Sequence, residues 1–416
     1  MNLLYKYFNS NDKKTLFSNF LSLSVLQCAN YILPLLTVPY LLRTIGLAKF
    51  GIISFAQAII QYLLIFTDFG LSTTAPRDIT LNRESNVKLN EIFSIVMIIR
   101  VTLTFLSFWI LFLCVSFIPR LQDDKFIFLF SYGIVAGEVL FPIWFFQGIE
   151  KMKYITILNI ISKVIFTLAI FIFIKSENDY IYVPVFYSLG YLTSGFLSLY
   201  IIFHNFGIKL VLPLWPAIIN TFKSNFLFFL SRLSASIYPS TNTFFLGLFT
   251  TNEITGFYAT ADKIVRAATS LNYPLANVLY PYISRTKNTG LFKKIFYSWN
   301  FIAISIFISF LLFHSTIIGI VSGEQNTLLS NTFLLYSLQI PIIFPSMLLG
   351  LPFLIALGHP KYVNFSFIFS SVFHLICMCL LIPVINIYYT VMLTFITELF
   401  VLLTRIYAIK KHKLWN

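Results

Sequence analysis

The chain has 416 residues, of which 58% are hydrophobic and only 11% charged, against about a quarter charged in soluble domains. A water-facing surface cannot be built from that composition, which excludes a soluble protein and predicts an integral membrane one. The 29 Lys+Arg against 15 Asp+Glu, formally +14, would suggest nucleic acid in a soluble chain. Here no nucleic-acid partner is expected, and the excess belongs at one membrane face beside anionic lipid.

A helix needs about 20 apolar residues to cross a bilayer. In chain order such stretches centre near residues 29, 61, 105, 136, 164, 192, 237, 268, 305, 344, 372 and 398, joined by short links. The first, from about Leu16 to Leu42, is too long for a signal-peptide core, and no small-residue cleavage site ends it. With the N terminus inside, only Arg43, Lys49, Arg120, Lys125 and Lys175 among the loop cations fall on the outer side. That asymmetry predicts cytoplasmic N- and C-termini and an even number of spans. The expected fold is therefore an all-α polytopic membrane protein of twelve transmembrane helices, with outer loops too short to hold a domain. Cys28, Cys114, Cys377 and Cys379 lie in apolar runs, which argues against a disulfide framework. Cys377 and Cys379 point to different faces of a helix, so no metal site with His374 is expected.

The two halves echo each other. Ser18-Asn19-Phe20-Leu21 returns as Ser224-Asn225-Phe226-Leu227, Gly51 as Gly256, and Gly148-x-x-Lys151 as Gly358-x-x-Lys361. The offsets are nearly equal and close to half the chain, which predicts two six-helix lobes, residues 1–208 and 209–416. Each lobe would start on the same side, as in parallel transporter repeats whose site lies between the lobes.

Charged groups within the spans are Arg100, Lys163, Arg232, Lys263 and Arg266, with Asp68, Glu138, Asp262 and Glu398. Such groups cost at least about 2.5–3.5 kcal/mol near the bilayer centre unless they face a cavity or a partner. Asp68, near a helix end, is read as snorkelling or paired, and Asp262 and Arg266 at i, i+4 as a local pair. Lys163 and Arg232 have no acid at helical spacing on their own segments. Arg232, Ser236, Ser240 and Thr243 form a polar stripe on the seventh span, with Asn242 in the same segment; Asp262, Arg266, Thr269 and Tyr273 share one on the eighth. Asn30 and Tyr31 lie on the first span, its duplicate. Together these residues make a candidate cationic lumen suited to phosphate oxygens. Small hydroxyls that only promote helix packing are the competing reading. Glu138, Asp262 and Glu398 are ion-coupling candidates, and Pro34 and Pro239 hinge candidates. No P-loop, HExxH or nucleophile elbow is present; no cofactor is expected, and no enzyme.

The stretch from Pro34 to Arg43, then Phe50-Gly51 and Ser54-Phe-Ala-Gln57, resembles the N-terminal signature of Wzx-type flippases. These are polysaccharide-transport members of the multidrug/oligosaccharidyl-lipid/polysaccharide exporter superfamily. Asp68-Phe69-Gly70, Arg77-Asp78-Ile79 and, most specifically, Trp144-Phe-Phe-Gln147-Gly148-Ile-Glu150-Lys151-Met-Lys153-Tyr154 continue the likeness. So do Asn242-Thr243-Phe-Phe-Leu246-Gly247, Gly256-Phe-Tyr258, Asp262-Lys263-Ile264, Leu279-Tyr280-Pro281 and Ile283-Ser284. Pro76-Arg77-Asp78 stands where the family usually has Thr-Arg-Glu, and Tyr282 where a basic residue often follows the proline.

The resemblance implies a MATE-like fold opening alternately to either side, in the bacterial inner (cytoplasmic) membrane. It implies as cargo an undecaprenyl-diphosphate-linked oligosaccharide repeat unit for O-antigen or capsule, moved to the periplasmic leaflet. Besides membrane lipid, a polysaccharide polymerase and a chain-length regulator are candidate partners. The alternative is an ion-coupled small-molecule or drug antiporter of the same superfamily, for which an acidic cation site and fewer lumen cations would be expected.

Overall fold

The computed structural model describes the backbone of residues 11–415, and their side chains except at 11–25, 28, 31, 32, 231 and 234–239. Apolar runs of this length leave the backbone no water to bond, so each segment satisfies itself as helix. All regular structure among the described residues is helical. Buried hydroxyls follow the same rule, donating one turn back: Ser131 to Ile127 O at 2.7 Å and Thr260 to Gly256 O at 2.8 Å.

The first half runs α1 (Asn11–Asp68), α2 (Leu71–Leu81), α3 (Asn86–Phe117) and the short α4 (Pro119–Gln122). A broken helix follows, α5 (Lys125–Ser131), α6 (Gly133–Leu140) and α7 (Ile143–Gly148), interrupted before α7 by Pro142. Then come α8 (Met152–Phe173), a 3-10 turn and α9 (Tyr182–Asn205). The second half repeats that order: α10 (Trp215–Phe249), α11 (Asn252–Thr269), α12 (Asn272–Thr286) and α13 (Thr289–Ser322). The broken α14 (Thr327–Ser337) and α15 (Ile340–Leu349) lead through a π turn (Gly350–Ile355) to α16 (Pro360–Leu381) and α17 (Ile387–Lys411). The link expected near Arg43 is a kink inside α1 at Gly46 (φ 77, ψ 167). Its counterpart in the second half is the break between α10 and α11.

Among the described residues, nine helical stretches are long and apolar enough to cross a membrane. The expected centres near 29 and 237 fall at residues whose side chains are partly outside the described set. The centre near 268 falls on α11, where Asp262, Lys263 and Arg266 crowd into little more than one turn. The chain is a multi-pass membrane protein.

Two compact units form. One comprises the residues up to Pro34 with Ile59–Leu233, the other Leu35–Ala58 with Ser234–Asn416. The chain thus passes between units inside α1, at Pro34 and again after Ala58, and inside α10 after Leu233.

In the first unit the core centres on Trp144, Phe93, Phe145 and Phe146, all fully buried. Gly148 lets α7 lie on α2: a Cβ there would stand 2.5 Å from Ile79 Cβ and 2.9 Å from Pro76 O. Thr80 Oγ1 donates to Gly148 O at 2.9 Å. The Trp-Phe-Phe-Gln-Gly stretch is therefore a packing device. Trp144 Nε1 has no hydrogen-bond partner among the described residues, so its ring volume is what counts. Trp144→Ala is expected to cost about 3–5 kcal/mol and Trp144→Phe much less, read as thermal unfolding in detergent.

In the second unit Gly51 and Gly256 bring α1 and α11 together. A Cβ on Gly51 would lie 1.8 Å from Asn252 O, and one on Gly256 2.2 Å from Leu47 O. The residues matched as repeat partners in sequence thus pack against each other. Arg43 donates to Ile320 O near the C-terminal end of α13, where Gly323 takes the left-handed φ of 83°; a cation there also complements the helix dipole.

Candidate functional site

In the first unit, α1 stops at Asp68 because Phe69 (φ 47) and Gly70 (φ 77) turn left-handed. Phe69 stacks on Phe222 at 4.2 Å and Phe229 at 4.8 Å, and Thr74 Oγ1 donates to Asn225 Oδ1 at 2.6 Å. These contacts pin the turn to α10 and present Asp68 to Arg232. The Arg232 Nη1–Asp68 Oδ2 distance is 2.8 Å, with side chains 43% and 8% exposed. Ser72 also donates to Asp68. From α3, Arg100 is 4% exposed, and its Nε has no hydrogen-bond partner among the described residues. It lies within electrostatic reach of Asp68, Glu138 and Arg232, and Glu138 within reach of Lys163. Arg100, Lys163 and Arg232, assigned from the sequence to one lumen with Lys263 and Arg266, form an electrostatic cluster with Asp68 and the ion-coupling candidate Glu138. Three cations against two carboxylates leave a positive balance. The half-exposed guanidinium of Arg232 can offer paired N–H groups to an anion while Asp68 keeps it oriented.

The second unit holds a different arrangement. Arg266 Nε donates to Asp262 Oδ1 at 2.6 Å and Oδ2 at 2.7 Å, the Arg266 side chain being 47% exposed and Asp262 13%. Tyr336 donates to Asp262 Oδ1 at 2.5 Å, and the Tyr336 and Tyr258 hydroxyls are 3.3 Å apart. Asn242, 2% exposed, donates to Tyr258 at 2.7 Å and meets His374 through Oδ1 at 2.8 Å. Lys263 sits 4.6 Å over the Phe50 ring and donates to Gln57 at 3.4 Å. Lys263 therefore faces α1, with its charge still within electrostatic reach of Asp262.

Of the remaining candidates, Asn30 donates to Gln27 at 3.4 Å, Tyr273 is 46% exposed, and Glu398 is half-buried within electrostatic reach of Arg405. Pro34 lies where α1 passes between units. The side chains of Tyr31, Ser236 and Pro239 lie outside the described residues. Sequence reasoning placed Arg405 in a cytoplasmic segment; it is 2% exposed and donates to Ser346 O at 2.5 Å and Oγ at 3.0 Å. Sequence reasoning read Asp68 as snorkelling or paired, and the structure pairs it with Arg232; it did not use His374, Tyr258 or Tyr336. The Asp68-Phe69-Gly70 turn was the available signal for Asp68; for the others no local pattern existed.

A family model described as "Polysaccharide biosynthesis protein" matches residues 16–287. Two relatives carry the name "Putative O-antigen transporter". The one from Escherichia coli (strain K12) is 30% identical over 291 residues, 68% of this chain and 70% of the relative. The one from Shigella dysenteriae is 25% identical over 399 residues, 94% and 99% of the two chains. Among solved structures, "Lipid II flippase MurJ, inward closed conformation" aligns with a TM-score of 0.73 at 14% identity, covering 93% of this chain and 87% of that one. An inward-facing multidrug resistance MATE family transporter of the MOP superfamily aligns at 0.66 and 12%, covering 92% and 99%. The architecture is of the MurJ and MATE kind.

Proposed function

The chain belongs to the polysaccharide biosynthesis protein family, and from that premise we propose that it flips a lipid-linked oligosaccharide across the bacterial inner membrane. The cargo is an undecaprenyl-diphosphate-linked repeat unit for O-antigen or capsule, carried from the cytoplasmic to the periplasmic leaflet. Twelve spans with cytoplasmic termini fit the loop charges and the repeated element order. The observation that carries the reading is the cationic cluster of Arg100, Lys163 and Arg232 around Asp68 and Glu138, set in apolar helices. Charge of that density in a membrane needs an anionic ligand or a partner to offset its desolvation. A diphosphate supplies several acceptor oxygens to the guanidinium forks, and Lys163 adds a point charge. The polyprenyl tail stays in lipid while the glycan follows the diphosphate, as the units move in alternating access about Pro34 and Pro239.

The antiporter reading needs a carboxylate open to a cation. Asp68 and Asp262 are each held by an arginine, at 2.8 and 2.6 Å, which favours the flippase. The test is a deletion strain whose lipid-linked units are probed on spheroplasts with a non-permeant glycan reagent. Units trapped on the cytoplasmic leaflet and restored outward by the gene are expected. Unpolymerised units already on the outer leaflet would point to a polymerase instead. Normal surface glycan with no accumulation would leave the antiporter.

A further inference from the structure

The buried hydrogen-bond chain of the second unit has one direction for its protons. The Asp262 carboxylate accepts from Tyr336. Having donated its only hydrogen, Tyr336 accepts from Tyr258, which in turn accepts from Asn242 Nδ2. The same amide nitrogen donates to Thr394 Oγ1 at 2.7 Å, and Thr394 spends its own hydrogen on Thr390 O at 2.8 Å. Asn242 is thereby oriented with Oδ1 toward His374, so His374 Nε2 carries a hydrogen. On the far side of the ring, Nδ1 lies 2.9 Å from Thr397 Oγ1, whose hydrogen goes to Leu393 O at 2.7 Å.

Both ring nitrogens of a fully buried histidine therefore face acceptors. That arrangement suits an imidazolium as it stands. The neutral ring needs one small change: Thr397 turns its hydrogen from Leu393 O to Nδ1. We infer that His374 is a proton-binding site inside the second unit, its affinity set through Asn242, Tyr258 and Tyr336 by the Asp262–Arg266 pair. Among the described residues, Tyr258 on α11 and Tyr336 on α14 reach His374 through Asn242; Glu398 lies next to Thr397 on α17, and Cys377 and Cys379 share the helix of His374. A negative Asp262 polarises the chain toward holding the extra proton, and Arg266 opposes it.

One consequence rests on the flippase reading. Arg266 is half-exposed, and an anionic cargo that neutralises it strengthens proton binding at His374. By linkage, protonation then strengthens cargo binding by the same factor.

The test needs no cargo and no export, so its failure is distinct from failure of that reading. His204, His314, His359 and His412 are replaced by Gln, leaving His374 as the sole histidine of the five. Ring-15N-labelled protein in lipid nanodiscs is then titrated by NMR. The neutral ring is expected in the Nε2–H form, turning to imidazolium on acidification. Asp262→Asn is expected to lower the midpoint and Arg266→Gln to raise it, each by about one pH unit, a tenfold change in affinity. In a Tyr336→Phe background both shifts vanish. An Nδ1–H tautomer, a ring that never titrates, or shifts that survive Tyr336→Phe would each overturn the proposal. The tautomer is read with Asp262, Tyr336, Tyr258 and Asn242 all unaltered, so it decides even where a variant at one of them fails to fold.

Discussion

Arg232→Gln is expected to abolish outward movement of the lipid-linked glycan and also to lower the amount of folded protein in the membrane. Removing the arginine leaves Asp68, 8% exposed, without its ion-pair partner, and Arg100 then opposes its charge from electrostatic reach. Breaking a buried pair from one side costs about 3–5 kcal/mol, reduced here because the Arg232 side chain is 43% exposed. Adding Asp68→Asn removes the orphaned charge, so the double variant is expected to recover in amount but not in export. Immunoblots of membranes and the leaflet assay separate the two effects. Export by the double variant at the parental rate would make the pair purely structural and take Arg232 out of cargo binding. Arg232→Lys refines the result: it keeps the charge and loses the planar fork, so full export by that variant would mean a field effect rather than paired hydrogen bonds.

The second large effect is expected at the glycine contact. Gly51→Leu and Gly256→Leu should each eliminate folded protein, because the clashing atoms are backbone: Asn252 O at 1.8 Å and Leu47 O at 2.2 Å from the added Cβ. Overpacked cores usually lose about 1–3 kcal/mol when neighbours can give way. Here two helix backbones would have to part, so the loss exceeds that range. Gly319→Ala is the control: nothing stands within 4 Å of its added Cβ, and alanine is the better helix former by about 1 kcal/mol. Fluorescence-detected size exclusion of detergent extracts should show a monodisperse peak for Gly319→Ala and none for the other two. Monodisperse Gly51→Leu would mean that α1 and α11 are not held at this distance.

What the sequence determined by itself is local. Apolar runs such as 86–117 and 289–322 are membrane helices because every backbone group in lipid must be satisfied within its own segment. Charges inside such runs stand out for the same reason, which is why Arg100, Glu138, Lys163, Arg232, Asp262 and Arg266 were legible one by one. Gly51 and Gly256 stand out too, small where only a small residue lets two backbones meet. The tertiary structure decided which of these residues lie together. Asp68 reaches Arg232 only because the left-handed turn at Phe69 and Gly70 is stacked against α10. His374 meets Asn242 across 132 residues of chain, and Arg405 is buried against Ser346. An ion pair or hydrogen bond between helices depends on their separation in space to within an ångström. Composition and periodicity describe one helix at a time, so partners of that kind become visible only when the helices are packed.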